Sequence, residues 1–252
     1  MCILCNAKKL NAISKLPSNP LRRTLLKSAG LLSVGGLMSS AGISIAQAAN
    51  PPKSENVLSP DQALTRLMAG NTTYVKSKTL QINVDETRGA LALGQNPFAC
   101  ILSCADSRIS PELAFNEERG DLFVTRVAGN FVNTDILASL EYGTAVLGAP
   151  LIMVLGHTSC GAIDASVKAY TQNTSFPGHI QALTTALAPA VREASKKAKG
   201  KDLLNAATVE NVRLNVEKLK ESNPILSERV KKGNLKIVGA IYDLSSGRVS
   251  LI

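Results

Sequence analysis

Two short apolar runs, Phe98 to Ser103 and Leu151 to Leu155, each give way at once to soft metal-ligand residues. The first ends in Cys104, and the second in Gly156-His157-Thr158-Ser159-Cys160-Gly161. Uninterrupted apolar runs of this length, separated by helical stretches, predict strands buried on both faces, the signature of a parallel sheet covered on each side by helices. The expected fold class is therefore α/β, a central, mainly parallel β-sheet flanked by α-helices. Loops and helix N-termini collect at the carboxyl ends of such strands, and active sites form there. Cys104 and the His157–Cys160 segment both fall at such an end.

The surrounding sequence fits this frame. Ser59-Pro60-Asp61 supplies an N-cap, a first-turn proline and an acidic first turn, opening a helix expected to stop at Gly70-Asn71. Asp121 to Val127 reads as a strand, and Asn133-Thr134 caps a helix through about Leu147. Helices are expected from Ala162 to about Tyr170, near 178–197 and near 202–222, the last two amphipathic with most of their lysines facing solvent. Leu235 to Tyr242 is a further strand, with Arg248 to Ile252 as its partner after the Ser245-Ser246-Gly247 turn. No internal repeat occurs, and no GxGxxG or GxxxxGK[ST] follows any strand. Residues 59–252 are expected to form one catalytic domain.

The first 48 residues read as an address. Arg22-Arg23-Thr24-Leu25-Leu26-Lys27 precedes an uncharged stretch, Ser28 to Ala46, closed by Ala46-Gln47-Ala48. A basic region, an apolar region and a small-x-small site together make a cleavable export signal, and the arginine pair resembles the twin-arginine type. An N-terminal membrane anchor is the alternative, although four glycines and many serines weaken that stretch as a span. The reading implies a periplasmic or otherwise exported protein without stable membrane insertion once the signal is removed; 49–58 is an exposed linker. Net charge is +9, but residues 1–49 hold six basic residues and no acid, leaving +3 for the remainder. A mildly basic body with no dense Lys/Arg block is poor evidence for a nucleic-acid partner, and none is expected. Signal removal leaves Cys100, Cys104 and Cys160, an odd number that does not fit a disulfide framework.

Cys104, His157 and Cys160 are the donor set a tetrahedral zinc takes, and three protein ligands leave the fourth position open, as in catalytic sites. Two small core cysteines, or a disulfide, beside an ordinary loop histidine would be the blander account. The charged pair in Cys104-Ala105-Asp106-Ser107-Arg108, set directly beside a strand-end cysteine, favours the metal.

These residues resemble the β-class carbonic anhydrases. The likeness rests on Cys104-Ala105-Asp106-Ser107-Arg108 and Gly156-His157-Thr158-Ser159-Cys160-Gly161-Ala162. It extends through Gly120 to Arg126, Ala128-Gly129-Asn130 and Ser139-Leu140-Glu141-Tyr142, covering roughly 90–165 densely and the C-terminal strand more loosely. It implies one Zn²⁺ per chain on Cys104, His157 and Cys160, and reversible hydration of CO₂ to bicarbonate and a proton through a zinc-bound hydroxide. Asp106 would accept a hydrogen bond from that group, and Arg108 would keep Asp106 ionised and aimed. In a second family arrangement the matching aspartate swings onto zinc and blocks the water position.

By position, Gln95, Phe123 and Tyr142 match residues lining the CO₂ cleft, and Gly161 offers a backbone N–H at a helix start; core or dimer packing would account for each equally well. Val127 departs from the family's usual Arg-Asn-Ala-Gly-Asn run, and the chain lacks the tryptophan found where bicarbonate inhibits allosterically. His179 is the only other histidine, a shuttle candidate or a solvated surface group, and Cys100 reads as a buried, inert thiol. The resemblance also implies a homodimer or higher homo-oligomer, with the helix at 59–69 reaching to a partner. The motifs do not separate CO₂ from CS₂ or COS, whereas Asp106 and Arg108 argue against a non-catalytic zinc- or bicarbonate-binding relative.

Overall fold

The computed structural model describes residues 58–78 and 84–252. The expected signal peptide, and all of the linker except Leu58, lie outside these residues. The chain runs α1 (Pro60–Val75), α2 (Val84–Leu91), β1 (Ala99–Ser103), α3 (Pro111–Ala114), β2 (Leu122–Arg126), α4 (Thr134–Ala145) and β3 (Leu151–His157). It continues through α5 (Gly161–Gln172), α6 (Ile180–Ser195), α7 (Asp202–Lys220), α8 (Ile225–Lys231), β4 (Lys236–Tyr242) and β5 (Val249–Leu251).

The strands form one sheet in the order β2-β1-β3-β4-β5. The first four are mutually parallel and β5 is antiparallel to β4, as a mainly parallel α/β sheet requires. Side chains alternate across it. Ile101 and Met153 face Ala63 and Leu67 of α1, whereas Leu102, Ile152 and Val154 face Leu140 of α4 and Val212 and Leu219 of α7. With both faces covered, β1 and β3 are buried along their whole lengths, which is why they read as continuous apolar runs.

Three expectations change. The first helix does not stop at Gly70-Asn71 but runs on to Val75. Its capping box is as expected, with Ser59 and Gln62 bonding reciprocally, but the two stop-like residues serve packing instead. A Cβ on Gly70 would lie 1.8 Å from the Phe115 carbonyl oxygen. Asn71 is buried; its side chain donates to the carbonyls of Ala114 and Gly247 and accepts from the Val249 N–H. On its own chain this helix packs through Ala63 and Leu67 against the sheet. Second, β3 extends through His157, so that residue ends a strand rather than sitting in a loop. Third, the short helices α2, α3 and α8 were not anticipated.

Candidate metal centre

β1 and β3 are neighbours in register, Ser103 opposite Leu155, so the residues following them emerge side by side. Cys104, His157 and Cys160 meet there, all buried, with their ligand atoms within 4.8 Å of one another. The two sulfurs are 3.9 Å apart and carry no disulfide. A tetrahedral zinc with Zn–S bonds of about 2.3 Å would separate two sulfurs by about 3.8 Å. His157 Nδ1 lies 2.9 Å from the Thr158 carbonyl oxygen, an acceptor, so Nδ1 carries the proton and Nε2 the lone pair. That Nε2 is fully buried with no hydrogen-bond partner, an uncommon deficit that a metal removes. The donor set and its geometry fit zinc.

The thiols share their remaining proton unequally. Cys104, accepting from Cys160, is pulled down to about 4; burial opposes this, while the Gly129 N–H assists it. Cys160 is pushed far above the ordinary thiol range, first by that same hydrogen bond and then by burial. A cation held by both sulfurs would take the place of the proton they share.

Asp106 and Arg108 stand beside the cluster. Arg108 Nε and Nη2 grip the two oxygens of Asp106 at 2.9 and 2.7 Å, and its backbone N–H adds a third bond at 3.0 Å. This fork holds Asp106 well below the usual carboxylate range. Asp106 Oδ2 lies 3.8 Å from His157 Nε2, with the carboxylate turned to Arg108 rather than joining the three ligands. Arg108 also donates to the Ser159 carbonyl, so one guanidinium ties both ligand-bearing loops. Ser159 takes a left-handed φ of 54°, a local strain that this bond helps to hold. The Thr158 N–H on the Tyr242 carbonyl and the Leu244 N–H on Thr158 Oγ1 secure the same loop.

Sequence reasoning missed Arg126 as a site-building residue. From the end of β2 it donates to the carbonyls of Cys104, Asp106 and Ile109, fixing the turn that carries the cysteine and the aspartate. Its partners are backbone atoms, which leave no mark on a sequence.

The proposed pocket residues are dispersed. Gly161 begins α5 directly after Cys160, with open space where a Cβ would stand. Phe123 and Tyr142 pack together with ring centroids 6.2 Å apart, Phe123 against the α4-side core. Gln95 is exposed and lines a separate cavity of about 440 Å³ with Leu91, Leu93 and Arg119. His179 is exposed at the N-cap of α6. Cys100 is buried in β1 and its thiol pushed up to about 12 by burial, as suits an inert thiol.

The chain is similar to known proteins over most of the described residues. The family model described as carbonic anhydrase matches residues 99–249. Carbonic anhydrase 2 of Mycobacterium tuberculosis is 36% identical over 193 residues, which cover 76% of this chain and 92% of that protein. Among solved structures, the β-carbonic anhydrase CcaA aligns with a TM-score of 0.59 at 28% identity, covering 75% of this chain and 94% of its own. A tetrameric β-carbonic anhydrase of the ascomycete Sordaria macrospora shares the fold with a TM-score of 0.60 at 22% identity, covering 75% and 96%. With the zinc-binding donor set in place at the carboxyl ends of paired parallel strands, the chain belongs to the carbonic anhydrase family, in its β class.

Proposed function

We propose that Cys104, His157 and Cys160, with Asp106 and Arg108 beside them, carry the family's reaction in this chain, the reversible hydration of CO₂ to bicarbonate and a proton. The observation that carries these roles is a carboxylate locked in a bidentate fork by Arg108 with its Oδ2 only 3.8 Å from the buried Nε2 of the ligand His157. Zinc on the three ligands supplies the Lewis acidity that makes water nucleophilic near neutral pH. The remaining tasks fall to the chain. His157 is oriented by its Nδ1–H bond to Thr158. Two thiolates offset the cation's formal charge, which raises the importance of a well-placed acceptor. Asp106 accepts a hydrogen bond from the attacking water and aims its lone pair. Because Arg108 keeps Asp106 so acidic, the carboxylate directs the proton without storing it.

The test is stopped-flow CO₂ hydration by the chain from Ala49 onward, with zinc measured on the same sample. The Asp106→Asn variant should retain about one zinc per chain and lose about 100-fold or more in turnover, the scale of a positioned proton-transfer group. Zinc loss in that variant, or near-normal turnover, would overturn the role given to Asp106. Hydrolysis of COS or CS₂ by a zinc-replete chain that leaves CO₂ untouched would give the site a different substrate.

The cleavable twin-arginine signal and an exported, periplasmic location belong to the same proposal. They are supported by Arg22-Arg23, the uncharged stretch after Lys27 and the Ala46-Gln47-Ala48 site. No helix among the described residues is long and apolar enough to cross a membrane. Self-association into a homodimer or larger assembly is supported by apolar surface in two places: Tyr142 and Val146 at the end of α4, and Leu251 and Ile252 at the β5 edge, all between 44% and 47% exposed.

A further inference from the structure

The helix α7 begins some forty residues beyond the last metal ligand and was expected to be an amphipathic cover. It does cover the sheet, through Val212, Val216 and Leu219, but its inward surface also carries polar groups. Asn211, Asn215 and Lys218 lie at i, i+4 and i+7, one face of the helix, and all three reach the same stretch of irregular backbone. Asn211 Nδ2 donates to the Gly129 carbonyl at 2.8 Å. Asn215 Oδ1 accepts the Val132 N–H at 2.7 Å, while its Nδ2 bonds back to Asn211 Oδ1 at 3.1 Å. Lys218 Nζ donates to the Val132 carbonyl at 2.7 Å. Asn211 and Asn215 are 3% and 7% exposed.

Gly129 is the point where this polar stripe meets the metal centre. Its N–H donates to Cys104 Sγ at 3.2 Å. Its φ is +84°, which glycine adopts freely, and the following Asn130 is also left-handed with φ +40°. A Cβ on Gly129 would come within 2.7 Å of Leu187, so the backbone is pressed against α6 as well. The two peptide groups flanking the Gly129 Cα thus have separate tasks: one gives its N–H to the sulfur, and the other gives its carbonyl to Asn211.

We propose that Asn211 is a positioning residue for the zinc site, holding Gly129 so that its N–H stays on the Cys104 sulfur. The inference rests on the assignment of Cys104 as a ligand. An N–H bond to a metal-bound thiolate draws charge off the sulfur and leaves the cation a stronger Lewis acid, which matters most where two thiolates already offset its charge. The Asn215 amide fixes the Asn211 side chain so that its Nδ2, not its Oδ1, faces Gly129.

The experiment loads the chain from Ala49 onward with zinc and, separately, with cobalt(II). Asn211→Leu, close in size but with no donor, should release zinc to a competing chelator about tenfold faster, the scale of losses from outer-shell partners. It should also shift the sulfur-to-cobalt charge-transfer band to lower energy, as a more electron-rich thiolate requires. Lys218→Met, which cuts a bond of the same helix face away from the sulfur, should lower Tm while leaving band and release rate at wild-type values. If Asn211→Leu does not fold, Asn211→Ser is read in the same way. Wild-type band and release rate in a folded Asn211 variant would make Asn211 a structural residue and overturn the proposal. Absence of any charge-transfer band in the cobalt-loaded parent chain would instead remove Cys104 from the metal site.

Discussion

Asp243 closes the turn between β4 and β5 with a single oxygen, Oδ1, which accepts from the backbone and hydroxyl groups of both Ser245 and Ser246. These donors, the Ser245 hydroxyl first, hold its pKa at about 2. An unfolded aspartate titrates near ~3.9, so the folded value is depressed. The stability this gives is complete above the unfolded pKa and is lost as pH falls through about 2. Asp243→Asn, which imitates the protonated form, should therefore be less stable than the parent at pH 6, with the gap closing between pH 4 and pH 2 in denaturant titrations. A gap constant across that range would assign the effect to shape rather than charge. At this scale the site was half legible. Cys104, Asp106, Arg108, His157 and Cys160 announce themselves because each spends a reactive or charged side chain at a strand end. Arg126 and Asn211 do not, because their partners are carbonyl oxygens and every residue has one. Gln95 and Tyr142 were placed by likeness alone, and in the single chain Gln95 lines a cavity apart from the ligands.

For whole elements, burial pattern was the reliable guide. β1, β3 and β4 were visible as apolar runs and α4 by its Asn133 cap, whose side chain accepts the Ile136 N–H. Short α3, with four residues, and α8, with seven, have too few turns to show a period. The first helix is the instructive error. Gly70-Asn71 carries the composition of a stop, and only the approach of Phe115 and three buried hydrogen bonds reveal its purpose. The two readings predict opposite signs. A merely helix-weakening glycine, replaced by alanine, would stabilise the chain by up to about 1 kcal/mol. Against a backbone oxygen 1.8 Å from the new Cβ, Gly70→Ala should instead cost about 3 kcal/mol, the upper end of ordinary overpacking. Urea unfolding of the two proteins decides it, and a neutral or stabilised variant would make Gly70 a merely helix-weakening glycine.

For the molecule as a whole, the proposals on assembly and address each have a direct measurement. The chain from Ala49 onward should sediment as a dimer or larger species, and Tyr142→Asp or Leu251→Asp should shift it toward monomer; a parent chain that sediments as a monomer at all concentrations would remove the assembly. Expressed with its first 48 residues, the chain should be recovered shortened in the periplasm, and Arg22→Lys with Arg23→Lys should leave it full length inside the cell. Shortened periplasmic protein from the double-lysine chain would point to a different export route.

The pairing of β1 with β3 also sets a timetable. Cys104 and Cys160 are 56 residues apart in sequence, and parallel neighbours cannot be joined by a hairpin; a long crossover, carrying β2 and α4, has to be closed for them to pair. No local fragment of the chain holds the three donors together. A bound ion therefore records that the central strands have found their register. During synthesis, a chain that stalls before β3 emerges carries one cysteine of the set and offers a scavenging cation nothing better than free solution does.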